Sequence, residues 1–142
     1  MPELKASHAM GIDVSYEYVG PNRYYVCVNF YRDCSGISAP TQLSGVNVSS
    51  NSCNQSFTLT LPMTLGPIDV SQLCPPQIPN STCGSGSYVG VELYQYCDTV
   101  DFPMACADWI VSYDICCRNA SVNLTNPTSE DIYGESTINN LN

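Results

Sequence analysis

The chain has 142 residues and a formal charge of −9, with Lys5, Arg23, Arg32 and Arg118 as its cations. Its length suits one domain with a real core, burying roughly 68–70% of the unfolded surface. Four scattered cations cannot neutralise a run of phosphates, which excludes nucleic acid and disfavours an anionic membrane surface.

Hydrophobic residues make up 44% of the chain, too many for a disordered segment. Charged residues make up only 12%, about half the usual ~25%. Ser, Thr and Asn must therefore carry the solubility, as on extracellular proteins.

Residues 1–7 lack the hydrophobic stretch of a signal peptide and read as a leader remnant or cloning residues. No apolar run approaches the ~20 residues of a membrane helix, so no membrane insertion is expected.

From there the pattern is period two. "IDVSYEYV" sets Ile12, Val14, Tyr16 and Tyr18 on one face, "GPN" (20–22) is a turn, and "RYYVCVNFYR" sets Val26, Val28 and Phe30 on one face. The two runs predict a β-hairpin. "SFTLTLP" alternates Phe57, Leu59 and Leu61 against Ser and Thr. "YVGVELYQY" alternates Val89, Val91 and Leu93 against Tyr88, Glu92, Tyr94 and Tyr96, and "DWIVSYDICC" lines up Trp109, Val111, Tyr113, Ile115 and Cys117. Weaker strands are expected at 43–49, 66–71 and 121–125. Prolines fall mainly between runs, as a sheet requires. The prediction is an all-β, antiparallel β-sandwich, Ig-like, with seven to eight strands and disulfide staples. It spans 8–125. Residues 126–142 are polar and aperiodic and read as a C-terminal tail or linker.

Nine cysteines, at 27, 34, 53, 74, 83, 97, 106, 116 and 117, point to an oxidising compartment. Structural zinc is disfavoured because C-x2–4-C pairs are missing and His8 is the lone histidine. Equal nine-position intervals suggest Cys74–Cys83 and Cys97–Cys106 as loop staples, and Cys34–Cys53 is a further candidate that would close the loop between them. Cys116 and Cys117 lie adjacent on a strand, point to opposite faces and should take separate partners, Cys27 being one candidate. A vicinal redox pair is the rival reading. An odd count leaves one thiol free or paired outside the chain, and sequence does not fix the connectivity.

In "YRDCSG", Arg32 beside Cys34 suggests an activated thiol, but Asp33 opposes that effect. The stretch reads better as a strand end, with Cys34 tethering the next loop and Arg32 paired to Asp33 or a nearby acid. No base is placed to activate a nucleophile apart from His8, in a terminal segment, so no enzyme is expected. "CDTVDFPMACAD" is rich in oxygen ligands, and Asp98 and Asp101 are calcium candidates. It lacks the D-x-D-x-D-G pattern, and a solvated acidic loop is the plainer reading. Tyr25, Tyr31, Tyr88, Tyr94 and Tyr96 fall on predicted outward faces. They form a candidate ligand surface for glycan or protein, or else ordinary cross-strand aromatic pairs.

The stretches "SHAMGIDVSYEYVGPNRYYVCVNFYRDCSG" and "DWIVSYDICCRNASVNL" resemble the N-terminal region of very large Bacteroidetes cell-surface proteins. These are exported by type nine secretion and include gliding-motility adhesins. The resemblance rests on His8, Gly11 and Tyr16, on Tyr31-Arg32-Asp33-Cys34 with Gly36, and on Cys116-Cys117-Arg118-Asn119; the middle of the chain matches only in character. It implies surface display, adhesion and no catalysis, and it implies that the chain belongs to something longer or is a short relative. It also marks Thr99, in "DTV", as a candidate glycosylation site. The expectation is a non-catalytic extracellular module of cell-surface adhesion, without cofactor, whose partners are proteins or glycans. The alternatives are a self-assembling subunit of an extracellular filament, its tail pairing with a neighbour's sheet edge, and a carbohydrate-binding module using surface tyrosines.

Overall fold

The structure, a computed structural model, describes residues 9–119 and 122–141. Seven strands follow in chain order: β1 (Ala9–Gly20), β2 (Arg23–Asp33), β3 (Gln42–Ser50), β4 (Gln55–Asp69), β5 (Val91–Asp101), β6 (Trp109–Cys116) and β7 (Asp131–Ile138). Their spatial order is β1-β2-β5-β4-β3-β6-β7, and all neighbours are antiparallel. That is the ABED/CFG order of a constant-type Ig sandwich.

β4 joins the two sheets. Its first half, through Pro62, pairs with β3, and from Met63 onward it pairs with β5. The corner is built from residues that cannot continue a regular ladder. Pro62 has no N–H to give. Gly66 sits at φ +125°, where a Cβ would lie 2.9 Å from the Leu93 carbonyl oxygen.

The β1–β2 turn is Pro21-Asn22, with Asn22 at φ +55°. A proline with its φ preset, followed by an Asn tolerant of positive φ, makes a tight hairpin connection. Inward residues from both sheets form one core: Val14, Val26, Val28, Phe30, Leu43, Val46, Val48, Leu61, Tyr96, Trp109, Val111 and Ile138 are all buried.

Several expectations need correction. Residues 131–138, read as tail, are β7 and pair with β6 along their whole length. Asn140 beyond them is buried. Its amide group donates to Asn22 Oδ1 and the Met104 carbonyl, and its side-chain oxygen accepts from Cys106 N–H. Residues 131–140 are thus paired and packed within the chain. Of the strand expected at 121–125, the described residues Val122–Thr125 are turn and bend instead. β5 begins at Val91, and its parity is the reverse of that expected. Tyr94 and Tyr96 stand opposite Phe30 and Val28 and point inward. Burial is feasible because each ring carries a polar tip that finds a partner. The Tyr96 hydroxyl donates to the Pro40 carbonyl (2.7 Å), and the Tyr94 hydroxyl donates to Glu92 (3.2 Å).

The disulfides also differ from the interval-based pairs. They are Cys27–Cys97, Cys34–Cys83, Cys53–Cys106 and Cys116–Cys117, and Cys74 is free and exposed. Register decides the first: Cys27 and Cys97 are directly opposed on β2 and β5, with Cα atoms 4.2 Å apart. Cys53–Cys106 ties the β3–β4 turn to the loop before β6. The adjacent pair is vicinal, not split between two partners. Four bridges fit an oxidising environment, and no described helix is long and apolar enough to cross a membrane.

Candidate binding surface

The inward faces of β1 and β2 both end in tyrosines. Tyr16 stands opposite Val26, and Tyr18 opposite Tyr24. Tyr24 is buried, yet Tyr16 and Tyr18 are 44% and 60% exposed, because the core stops short of this end of the sandwich. A chain of ring contacts links them to the interior. Trp109 packs against Phe102 (centroids 5.3 Å), Phe102 against Tyr24 (5.6 Å), and Tyr24 edge-to-face against Tyr16 (5.8 Å) and Tyr18 (5.7 Å). Such pairs contribute about 0.5–1.5 kcal/mol each beyond area burial.

Tyr16 is fixed further by its hydroxyl, which donates to the Thr137 carbonyl (3.0 Å). Trp109 is fixed by its indole N–H, which donates to the Met104 carbonyl (3.2 Å). Burial, then the neighbouring Tyr18 and Tyr16, raise the Tyr24 hydroxyl above its usual range, so it stays neutral. Val19, Met104 and Leu141 are exposed, and Asn140, next to Leu141, ties Met104 to the β1–β2 turn by donating to the Met104 carbonyl and to Asn22 Oδ1. The rim is polar, with Arg23 donating to Asp101 at 2.6 and 3.3 Å. The result is two solvent-facing rings already ordered by a buried one, so a ligand stacking on them pays little ordering entropy.

The five tyrosines expected to form the surface do not assemble. Tyr94 and Tyr96 are in the core. Tyr88 lies apart, beside a shallow cavity of about 330 Å³ lined with Gln72, Leu73, Cys74 and Gln77. Tyr25 and Tyr31 do share the outward face of β2. Tyr31 donates to Asp13 (3.2 Å), beside a polar ladder in which Gln95 donates to Asn29 and Asn29 to Asp13. Burial and the Asp13 carboxylate raise the Tyr31 hydroxyl. Tyr16 and Tyr18, which the alternation places on one face with Ile12 and Val14, are not among the tyrosines expected at the surface. The available signal was position: they are the last inward places before the turn, where a strand outruns its core.

The remaining candidates are placed as follows. Asp101 is engaged by Arg23, and Asp98 accepts the Thr99 N–H (2.8 Å). No group of three or more His, Cys, Asp or Glu side chains placed to hold a metal ion occurs among the described residues. Thr99 is exposed on β5, opposite Tyr25. His8 lies outside the described residues. Asp108 accepts from Ser50 Oγ (2.6 Å), Ser52 Oγ (2.5 Å) and Ser52 N–H (3.0 Å), which holds its carboxyl at about 2. It fastens the β3–β4 turn. Arg32 pairs with Glu92 and not Asp33, and it donates to the Gly36 and Ile37 carbonyls at 2.7 Å. Asp33 instead accepts from Ser35 N–H and Oγ. Cys34 is in a disulfide, which removes the activated-thiol reading.

No family model, curated protein or solved structure matches the chain.

Proposed function

We propose that this chain is a non-catalytic, extracellular Ig-type module of a cell-surface protein, acting in adhesion, and that its aromatic end carries recognition. The observation that supports this most is the pair Tyr16 and Tyr18, inward-facing by parity yet open to solvent and braced on Tyr24. Large exposed aromatics on a rigid scaffold supply contact area at low entropy cost. Of the glycan and protein partners, a neutral glycan suits this end best. The apolar faces of sugar rings stack on phenol rings, the Arg23–Asp101 and Asn22 rim offers hydrogen bonds, and the charge of −9 repels anionic chains. The resemblance to Bacteroidetes surface adhesins agrees with display outside the cell.

The test is binding to an array of neutral glycans, followed by calorimetry on any hit. Tyr18→Ala, which removes the most exposed ring, should weaken binding about tenfold or more, as loss of a central aromatic anchor does, while thermal unfolding shifts little. An array hit that both Tyr16→Ala and Tyr18→Ala leave untouched would place recognition elsewhere. A clean array would reject the glycan.

A further inference from the structure

We propose that the Cys116–Cys117 disulfide is a redox-operated latch that holds the seam between β1 and β7 closed. The two strands are the ends of the sheet order and run parallel to one another. Among the described residues no backbone ladder joins them. Side chains close most of the seam. Tyr16 donates to the Thr137 carbonyl, Ser136 Oγ donates to the Val14 carbonyl, and Gly134 packs against Ile12.

At the start of both strands the closure is main chain, and it comes from the three residues after β6. Cys117 and Arg118 N–H groups donate to the Glu130 carbonyl (3.1 and 3.2 Å), just before β7. Asn119 N–H donates to the Ala9 carbonyl (3.1 Å), and Arg118 forms a parallel bridge with Ala9. Cys116 is still paired with Asp131 in the β6–β7 ladder, so the chain leaves that ladder at Cys117. It does so with Cys117 at φ +83°, a left-handed conformation that a non-glycine residue rarely adopts unaided.

The other three bridges join residues 70, 49 and 53 positions apart and restrain the unfolded chain. A bridge between neighbours closes no loop worth the name. What it constrains is the backbone at Cys117, and with it the three amides of the latch. Cys116 is exposed and Cys117 buried, which gives an incoming thiolate one side to attack.

The reductant is a dithiol. Its thiolate attacks Cys116 Sγ, the Sγ–Sγ bond breaks, and Cys117 leaves as a thiolate. The second thiolate then attacks the mixed disulfide and releases Cys116. Two electrons and two protons end on the cysteines, and the dithiol becomes a cyclic disulfide. Cys117 then relaxes to negative φ, residues 117–119 lose their partners, and the seam frays from Ala9.

The test starts from the oxidised full chain, with Cys74 first alkylated under native conditions so that it neither counts as a reduced thiol nor attacks a bridge. It is titrated with a small dithiol and followed by peptide mass mapping and hydrogen exchange. Cys116 and Cys117 should become alkylatable before the other six bridged cysteines. Exchange at 117–119 should then quicken about tenfold or more, while β3 and β4 stay protected. Reduction of this pair last, or only with global unfolding, overturns the proposal, as does selective reduction without faster exchange at 117–119. C116S/C117G is compared with C116S/C117S. Glycine accepts φ +83°, so the glycine variant should keep the latch amides slower, and equal exchange in the two would overturn the mechanism.

Discussion

Arg32 offers a quantitative test of how this end of the sandwich is held. Its side chain is 10% exposed and that of its partner Glu92 is 13% exposed, so the pair sits almost out of water. Arg32→Met removes the charge that compensates Glu92 and both donors to the Gly36 and Ile37 carbonyls. Breaking one side of a buried pair costs about 3–5 kcal/mol, because the remaining charge is stranded. Replacing both members by apolar groups of similar volume is often neutral, so Arg32→Met/Glu92→Leu should lose mainly the two carbonyl contacts, about 1–1.5 kcal/mol each. A chain of 142 residues has an unfolding entropy of roughly 0.3 kcal/mol/K. The single variant, which strands Glu92 and also loses the two carbonyl contacts, should therefore melt about 17–27 °C lower and the double about 7–10 °C lower. The assay is thermal unfolding by circular dichroism with all disulfides intact, run as a double-mutant cycle with Glu92→Leu. A single variant no worse than the double, or one costing under about 1 kcal/mol, would refute the stranded-charge argument.

Two further outcomes follow from the same geometry. Cys27→Ser/Cys97→Ser opens a loop of 70 positions, whose closure entropy is about 4 kcal/mol, so the melting temperature should fall by about 13 °C; a loss near zero would mean that the register alone holds β2 against β5. The Asp108 carboxyl is depressed to about 2 from the ~3.9 of the unfolded chain, so its contribution is complete above about pH 4 and is lost as pH falls through 2. The gap in melting temperature between wild type and Asp108→Asn, measured from pH 5 to pH 2, should narrow toward the acid end; a gap constant with pH would rule out the Asp108 charge as its source.

The β1–β2 hairpin and the Trp109 strand were legible because their period-two signal is carried by aliphatic and aromatic residues with one feasible face. The β5 face was not. Its two faces hold Val, Leu and Tyr in nearly equal measure, and parity was settled by partners far away in sequence, Phe30 and Val28 on β2 and the Pro40 carbonyl above Tyr96. The disulfides failed for a related reason. Equal intervals measure distance along the chain, whereas Cys27–Cys97 and Cys53–Cys106 are set by which strands and turns the Ig order brings together. Tyr16 and Tyr18 carry the right parity for core, and no pattern in one strand reveals where its neighbours end.

β7 was hidden by the seam it helps to close. Its inward positions are Ile132, Gly134, Ser136 and Ile138, and only the outer two look like core. The middle two cannot be large. A Cβ on residue 134 would meet Ile12 Cγ2 at 3.0 Å and the Ile12 carbonyl oxygen at 3.3 Å, and Ser136 needs its hydroxyl for the Val14 carbonyl. Close approach of two parallel edges without a backbone ladder demands small or hydrogen-bonding side chains, which read in sequence as "polar tail". The composition that concealed the strand is therefore the same composition that lets β1 and β7 meet. A larger residue at 134 would push the two strands apart from the middle of the seam, where the Cys116–Cys117 latch at its start could not hold them.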